Sequence, residues 1–199
     1  VDGDGDSDLI IGYAAASTML YLSNGEGGFE LGRALPRPTG NTSPTTSLVL
    51  GDTDNDGDLD LVIGYNGDVD RLVINDGSTE PFTSGSGVEL QTGALSTTAM
   101  DMADFDKDGD LDLVVAHANA HNHYLINFVQ AGAFAEGVAF SKSEADTRAI
   151  AFVDADSNGT LDIAVANYGT KNIIYSYYQA PFYYYSAFSY DLGTEEENS

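Results

Sequence analysis

Four stretches of this 199-residue chain set oxygen-bearing side chains at alternate positions around a glycine, and that spacing suits the capture of a hard cation. In the second stretch the residues are Asp52, Asp54, Asp56, Asp58 and Asp60 around Gly57; in the third they are Asp104, Asp106, Asp108, Asp110 and Asp112 around Gly109. The fourth carries Asp154, Asp156, Asn158, Thr160 and Asp162 around Gly159, and the first carries Asp2, Asp4, Asp6 and Asp8 around Gly5. Ca²⁺ takes six to eight oxygens at roughly 2.3–2.6 Å, and a tight loop supplies them from every second residue while glycine permits the turn.

Counted from the first Asp of a loop, side chains at positions 1, 3, 5 and 9 are the expected ligands, with position 7 acting through its backbone carbonyl. Position 7 is accordingly free to vary, and it does: Asp6, Asp58, Asp110, Thr160. Asn158 at position 5 keeps an oxygen and lowers the charge. In loop one the first ligand would precede Val1, so that site is incomplete as written. An EF-hand opens with similar spacing but needs a Glu at position 12 and flanking helices. Position 12 is Ile11, Ile63, Val115 or Val165, each within a β-type run, which excludes it.

Other residues invite weaker readings. His117, His121 and His123 are the only histidines and look like a zinc or copper cluster, but a polar inter-strand loop of the third unit is the reading we favour. The stretch Tyr175 to Tyr190 is rich in tyrosine, which suits blade packing and, alternatively, stacking on sugar rings. Asn41-Thr42-Ser43 is a glycosylation sequon in a polar connection; a second, Asn158-Gly159-Thr160, competes with the metal for Asn158. No G-x-S-x-G and no phosphate-cradling loop occurs, and the loop carboxylates are committed to a cation, so no enzyme is expected.

The elements that hold these loops follow from an internal repeat. Gly5, Gly57, Gly109 and Gly159 lie 52, 52 and 50 residues apart. In phase with them come apolar runs (LYLSN, LVIND, YLINF, IIYSY) and then Phe29, Phe82, Phe134 and Phe182. SLVLGD, TAMDMAD and RAIAFVD lead into loops two, three and four with strand character. Each unit reads as strand, acidic loop, strand, turn, strand, connection and one further strand, with no helical periodicity. About 50 residues per four-stranded unit is a propeller-blade period. The expected units are approximately 1–45, 46–97, 98–147 and 148–199, about four blades in one all-β region. Because a fifth loop would open just past Ser199, an arc of a larger ring is the simplest account, with a closed four-bladed ring the alternative.

Composition narrows the partners. Seven basic residues against 32 acidic ones leave a net charge of −25, which excludes nucleic acid and anionic membrane as electrostatic partners. The chain has no cysteine, hence no disulfide and no thiolate site, and its apolar runs are too short for a transmembrane helix. Over half of the acidic residues sit in the four loops, so empty loops repel themselves. At millimolar calcium and a Kd near 0.1 mM, each filled site adds roughly 1.4 kcal/mol, enough for a structural role.

The pattern D-x-D-x-D-G-x-x-D followed by Leu-Val or Leu-Ile resembles the calcium loops of the FG-GAP/VCBS repeats found in integrin α-chain propellers and many secreted proteins, and LYLSNGEGGFELG resembles the VCBS unit. The resemblance covers essentially the whole chain. It implies a β-propeller, usually seven-bladed, with Ca²⁺ between the first two strands of each blade. The expected function is a non-enzymatic, calcium-stabilised, extracellular or secretory-lumen scaffold for recognition or adhesion. Its protein or glycan partner would dock on a propeller face through loops such as Tyr65 to Arg71 or His117 to His123. The alternative is a carbohydrate-binding or polysaccharide-lyase-type propeller, for which Asp68, Asp70 and Asp101 are the suggestive residues.

Overall fold

The computed structural model describes residues 1–38, 40–83, 85, 87–127, 133–142, 144–176 and 189–191. Among them every regular element is a strand, and no helix is long and apolar enough to cross a membrane. The first unit contributes β1 (Leu9–Ile11), β2 (Met19–Tyr21) and β3 (Arg33–Ala34). The second is a complete antiparallel meander of β4 (Thr45–Gly51), β5 (Asp60–Tyr65), β6 (Arg71–Val73) and β7 (Val88–Glu89). The third repeats it with β8 (Thr97–Ala103), β9 (Asp112–Ala120), β10 (His123–Leu125) and β11 (Val138–Ala139). The fourth has β12 (Ala145–Val153), β13 (Asp162–Tyr168), β14 (Ile173–Tyr175) and β15 (Ser189–Asp191). The four-strand reading therefore holds in the second, third and fourth units, where the acidic loops join the first two strands, while the first unit shows three strands among the described residues. Most of the tyrosine-rich stretch, and Phe182 with it, lies outside the described residues.

The second strand of each inner blade is buried on both faces, and strand alternation decides which neighbour each side chain meets. On β5, Leu61, Ile63 and Tyr65 join Leu20, Leu35, Val73 and Phe82 between blades one and two. Val62 turns the other way, meeting Leu72, Leu90, Leu113, Val115 and Leu125 between blades two and three. On β9 the pattern recurs one blade on: Val114 and Ala116 pack with Phe105, Ile150, Ile163, Val165 and Tyr175. Each fully buried aliphatic side chain contributes roughly 1.5–3 kcal/mol, so the stacking of blades rests mainly on these layers.

Polar links run in the same register. Thr46 Oγ1 donates to Thr97 O (2.6 Å) and Thr98 Oγ1 to Thr147 O (2.6 Å), tying the first strands of successive blades. Blades three and four also share ladder bonds, since β12 pairs with the end of β9 at Asp146 and Ala118. The three histidines do not form one cluster: the rings of His117 on β9 and His123 on β10 meet edge to face with centroids 5.2 Å apart, and His121 is engaged elsewhere. His117 is a fully buried residue of β9, not part of a loop, while His121 Nδ1 lies 2.8 Å from Ser141 O and its Nε2 faces Glu144. The reason is the length of β9, which runs on to Ala120 and carries position 117 inward as Tyr65 is carried on β5.

Candidate metal centre

The first strand of each blade ends at the acidic loop and the second begins there, with Gly51 paired to Asp60 and Ala103 to Asp112. A reversal that tight needs left-handed backbone. Gly57 and Gly109 have φ of 98° and 100°, where a Cβ is strained, and position 4 is left-handed too: Asn55 at 59°, Lys107 at 65° and Ser157 at 59°. The turn is then held by its own carboxylates. In loop two the N–H groups of Asp56 and Gly57 donate to Asp52 Oδ1 (3.1 Å) and Oδ2 (3.0 Å); in loop four Asn158 and Gly159 donate to Asp154 at 3.0 and 2.9 Å.

This local geometry brings three carboxylates together in three successive blades. Oxygens of Asp52, Asp54 and Asp60, of Asp104, Asp106 and Asp108, and of Asp154, Asp156 and Asp162 lie within 4.8 Å of one another in each set. Oxygens on opposite sides of a Ca²⁺ ion are at most about 5 Å apart, so the donors fit the ion in chemistry and span. Loop three adds an unsatisfied acceptor. Asp104 Oδ1 is buried and has no hydrogen-bond partner, the condition a cation relieves. Crowding shows in the acidities: burial pushes Asp54 up, assisted by Asp60, Asp56 and Asp52, and burial followed by Asp108 does the same to Asp106.

Position 9 has a second task. Asp60 is buried; its Oδ2 accepts the Thr53 N–H (2.9 Å) and hydroxyl, and its Oδ1 accepts the Asn75 N–H (2.8 Å). Asp112 does likewise for Phe105 and Asn127, both at 2.9 Å, and burial lifts its pKa to about 7 despite those donors. In loop three the cluster uses position 5, Asp108, instead of position 9. Asn158 turns its Oδ1 to the Thr160 N–H (2.7 Å) and donates Nδ2 to Asp156 (2.9 Å). Asp58 donates its N–H to Asp56 Oδ1 (2.9 Å), and Asp110 its N–H to Asp108 Oδ1 (3.0 Å). In loop one Asp2, Asp4 and Asp6 are linked by short-range N–H bonds, and Asp8 pairs with the Val1 amine and accepts the Ser23 N–H (2.8 Å).

Sequence reasoning passed over Asn75 and Asn127, whose amides reach back to the preceding blade. Asn75 Nδ2 donates to Val1 O (2.8 Å) and Asn127 Nδ2 to Thr53 O (2.7 Å). The available signal was a polar residue closing the third-strand run in each unit: Ser23, Asn75, Asn127 and Ser176.

The residues considered for carbohydrate chemistry are engaged in the framework. Asp70 Oδ1 accepts the Tyr65 N–H (2.9 Å), Asp101 Oδ2 accepts the Phe152 N–H across the blade boundary (2.8 Å), and Asp68 Oδ1 accepts the Val69 N–H (2.8 Å). At the strand ends away from the acidic loops, Asn66, Ser96, Thr97, Ala118 and Arg148 line an open depression of about 340 Å³.

Antiparallel four-strand blades stacked face to face, each folded around an acidic loop, define a β-propeller repeat protein. The sequence model for FG-GAP-like repeats matches residues 1–63, 52–115 and 104–165, and the chain belongs to this family. No curated protein matches the chain. Among solved structures, it is similar to BBS1N in complex with ARL6DN soaked with lead (12% identity, TM-score 0.41) and to the same complex soaked with mercury (13%, 0.40). In both cases 83% of this chain is covered, and it spans 65% of the length of the matched chain.

Proposed function

We propose that the chain is a calcium-stabilised, non-enzymatic propeller scaffold that works where calcium is abundant, outside the cytosol, and presents a recognition or adhesion face to a protein or glycan. The observation that carries this reading is the recurrence of three carboxylates within 4.8 Å at the same place in three consecutive blades. Two residues named as ligands, Asp52 and Asp154, also cap their own turns, so a cation there both neutralises the loop and stiffens the hairpin that joins two core strands. Stiffening is a structural act. The loops lie within single blades and have no helix pair to open, which argues against a sensor.

The recognition face is best placed at the opposite strand ends. There Asn66, directly after β5, and Ala118, near the end of β9, border the depression together with Thr97 and Arg148. Partners are selected by hydroxyl, amide and guanidinium groups at that end, while the acidic end is occupied with cations.

Calorimetric titration of the metal-free chain with CaCl₂, with MgCl₂ as a control, tests the metal reading. About three ions bound per chain, with Ca²⁺ preferred, supports it; no uptake overturns it. A glycan array at constant calcium separates a carbohydrate-binding propeller from a protein-binding one.

A further inference from the structure

The acidic loops of neighbouring blades are joined to one another, in both directions along the chain. Forward links start at position 4. Asn55 Nδ2 donates to Asp110 Oδ1 of the next loop (2.5 Å), and Lys107 Nζ donates to Gly159 O of the loop after that (2.5 Å). Both land at position 6 or 7, on or beside the residue whose carbonyl is expected to face the ion. Backward links start from the third strand: Asn75 reaches Val1 O in loop one, and Asn127 reaches Thr53 O in loop two, each acceptor directly preceding a position-3 Asp. The backbone N–H groups of those asparagines are held by Asp60 and Asp112, the last residues of their own loops.

We infer that the forward bonds of this row couple the loops energetically, so that calcium bound in one blade raises the affinity of its neighbour, with Asn55 and Lys107 as the positioning residues. The inference rests on the calcium reading above. An ion at loop three draws in the backbone at position 7 and fixes Asp110, which orients Asn55. Asn55 lies between Asp54 and Asp56 in left-handed backbone, so part of the ordering that loop two needs is already in place. Lys107 relays the same effect between loops three and four, and its charge lies between two anionic turns. Asp104 Oδ1, buried and unpartnered in the middle loop of the row, marks the site with the most to gain from an ion.

Loop one carries Gly3 at position 4, also left-handed at φ 78°, so glycine is a side-chain deletion that leaves the turn unstrained. The experiment titrates CaCl₂ into the full metal-free chain by isothermal calorimetry, in the wild type, in the Asn55→Gly/Lys107→Gly double variant and in Ser157→Gly. Ser157→Gly makes the same backbone change where no inter-loop bond is seen among the described residues. Circular dichroism verifies folding. The expected wild-type Hill coefficient is above 1. The double variant binds the same number of ions with a Hill coefficient near 1 and a weakest step at least about fivefold weaker, while Ser157→Gly follows the wild type. Silencing loop four with Asp156→Ala should weaken loop three in the wild type and not in the Lys107→Gly background. Independent wild-type sites, or an unchanged double-variant isotherm, overturn the coupling while leaving the calcium reading intact. A wild type that takes up no calcium overturns both.

Discussion

Thr97, at the start of the third blade, donates its hydroxyl to Asp70 Oδ2 of the second at 2.7 Å, and both residues are buried. The same place between blades three and four holds Asn122, whose Nδ2 donates to Thr147 Oγ1 at 3.0 Å, while Thr147 donates on to Asn167 Oδ1 at 2.8 Å. One blade junction thus uses a carboxylate where the next uses an amide. The carboxylate is the costlier choice, because burial lifts the pKa of Asp70 to about 7.

Asp70→Asn should therefore be tolerated and should stabilise the protein at neutral pH. The folded pKa lies above the ordinary carboxylate value, so the wild type is favoured at low pH and loses stability as pH rises from about 4 through about 7. Asparagine does not ionise. The gain of the variant over the wild type is expected to be small at pH 4, to grow to roughly 1–3 kcal/mol by pH 7 and to stay level above it. Urea unfolding at several pH values measures this. A difference that does not vary with pH would refute the assignment.

His117 contributes with the opposite sign. Its ring is fully buried and burial, with His123 adding a smaller effect, pulls its pKa down to about 3. The unfolded chain takes up that proton below about pH 6.5 while the folded one does not, so stability falls as pH drops. In the Asp70→Asn background this acid-side loss should stand out, and His117→Gln should reduce it.

Chelation should lower the melting temperature. Three sites at roughly 1.4 kcal/mol each, in millimolar calcium, correspond to about 8–16 °C for a domain of this size. Thermal melts with and without EDTA decide it, and coincident curves would count against structural calcium.

Substitutions at positions 3 and 9 should separate repulsion from framework. Asp54→Asn relieves a carboxylate whose pKa is raised by burial and by its acidic neighbours, so in EDTA its melting point should rise by about 1–3 °C and in calcium it should fall. Asp60→Ala strands the buried N–H groups of Thr53 and Asn75 and should cost about 2–4 kcal/mol with or without metal.

Gly64 in β5 tests the closeness of the blades. A Cβ there would lie 2.7 Å from Thr97 Cγ2 and 3.1 Å from Met100 Cε, both on the next blade. Gly64→Val should destabilise by about 1–3 kcal/mol or more through overpacking, without altering calcium stoichiometry.

The repeat, the strand order within a blade and the identity of the loop carboxylates were legible in the linear sequence. Each is a local property: alternation of Leu61, Val62 and Ile63 states that both faces are buried, and Asp52-x-Asp54-x-Asp56-Gly57 states a tight oxygen-lined turn. What the chain order could not display is who meets whom across a blade boundary. Asn55 and Asp110 are 55 residues apart, Asn127 and Thr53 are 74 apart, and nothing in their types or spacing sets them among the many other polar pairs. The burial of Asp70 and His117 was likewise invisible, since each looks like an ordinary polar residue near a turn until the neighbouring blade closes over it. Short-range hydrogen bonding and side-chain alternation made the blades and gathered the loop carboxylates; only stacking the blades determined which polar groups are buried at their junctions and which loops are tied to one another.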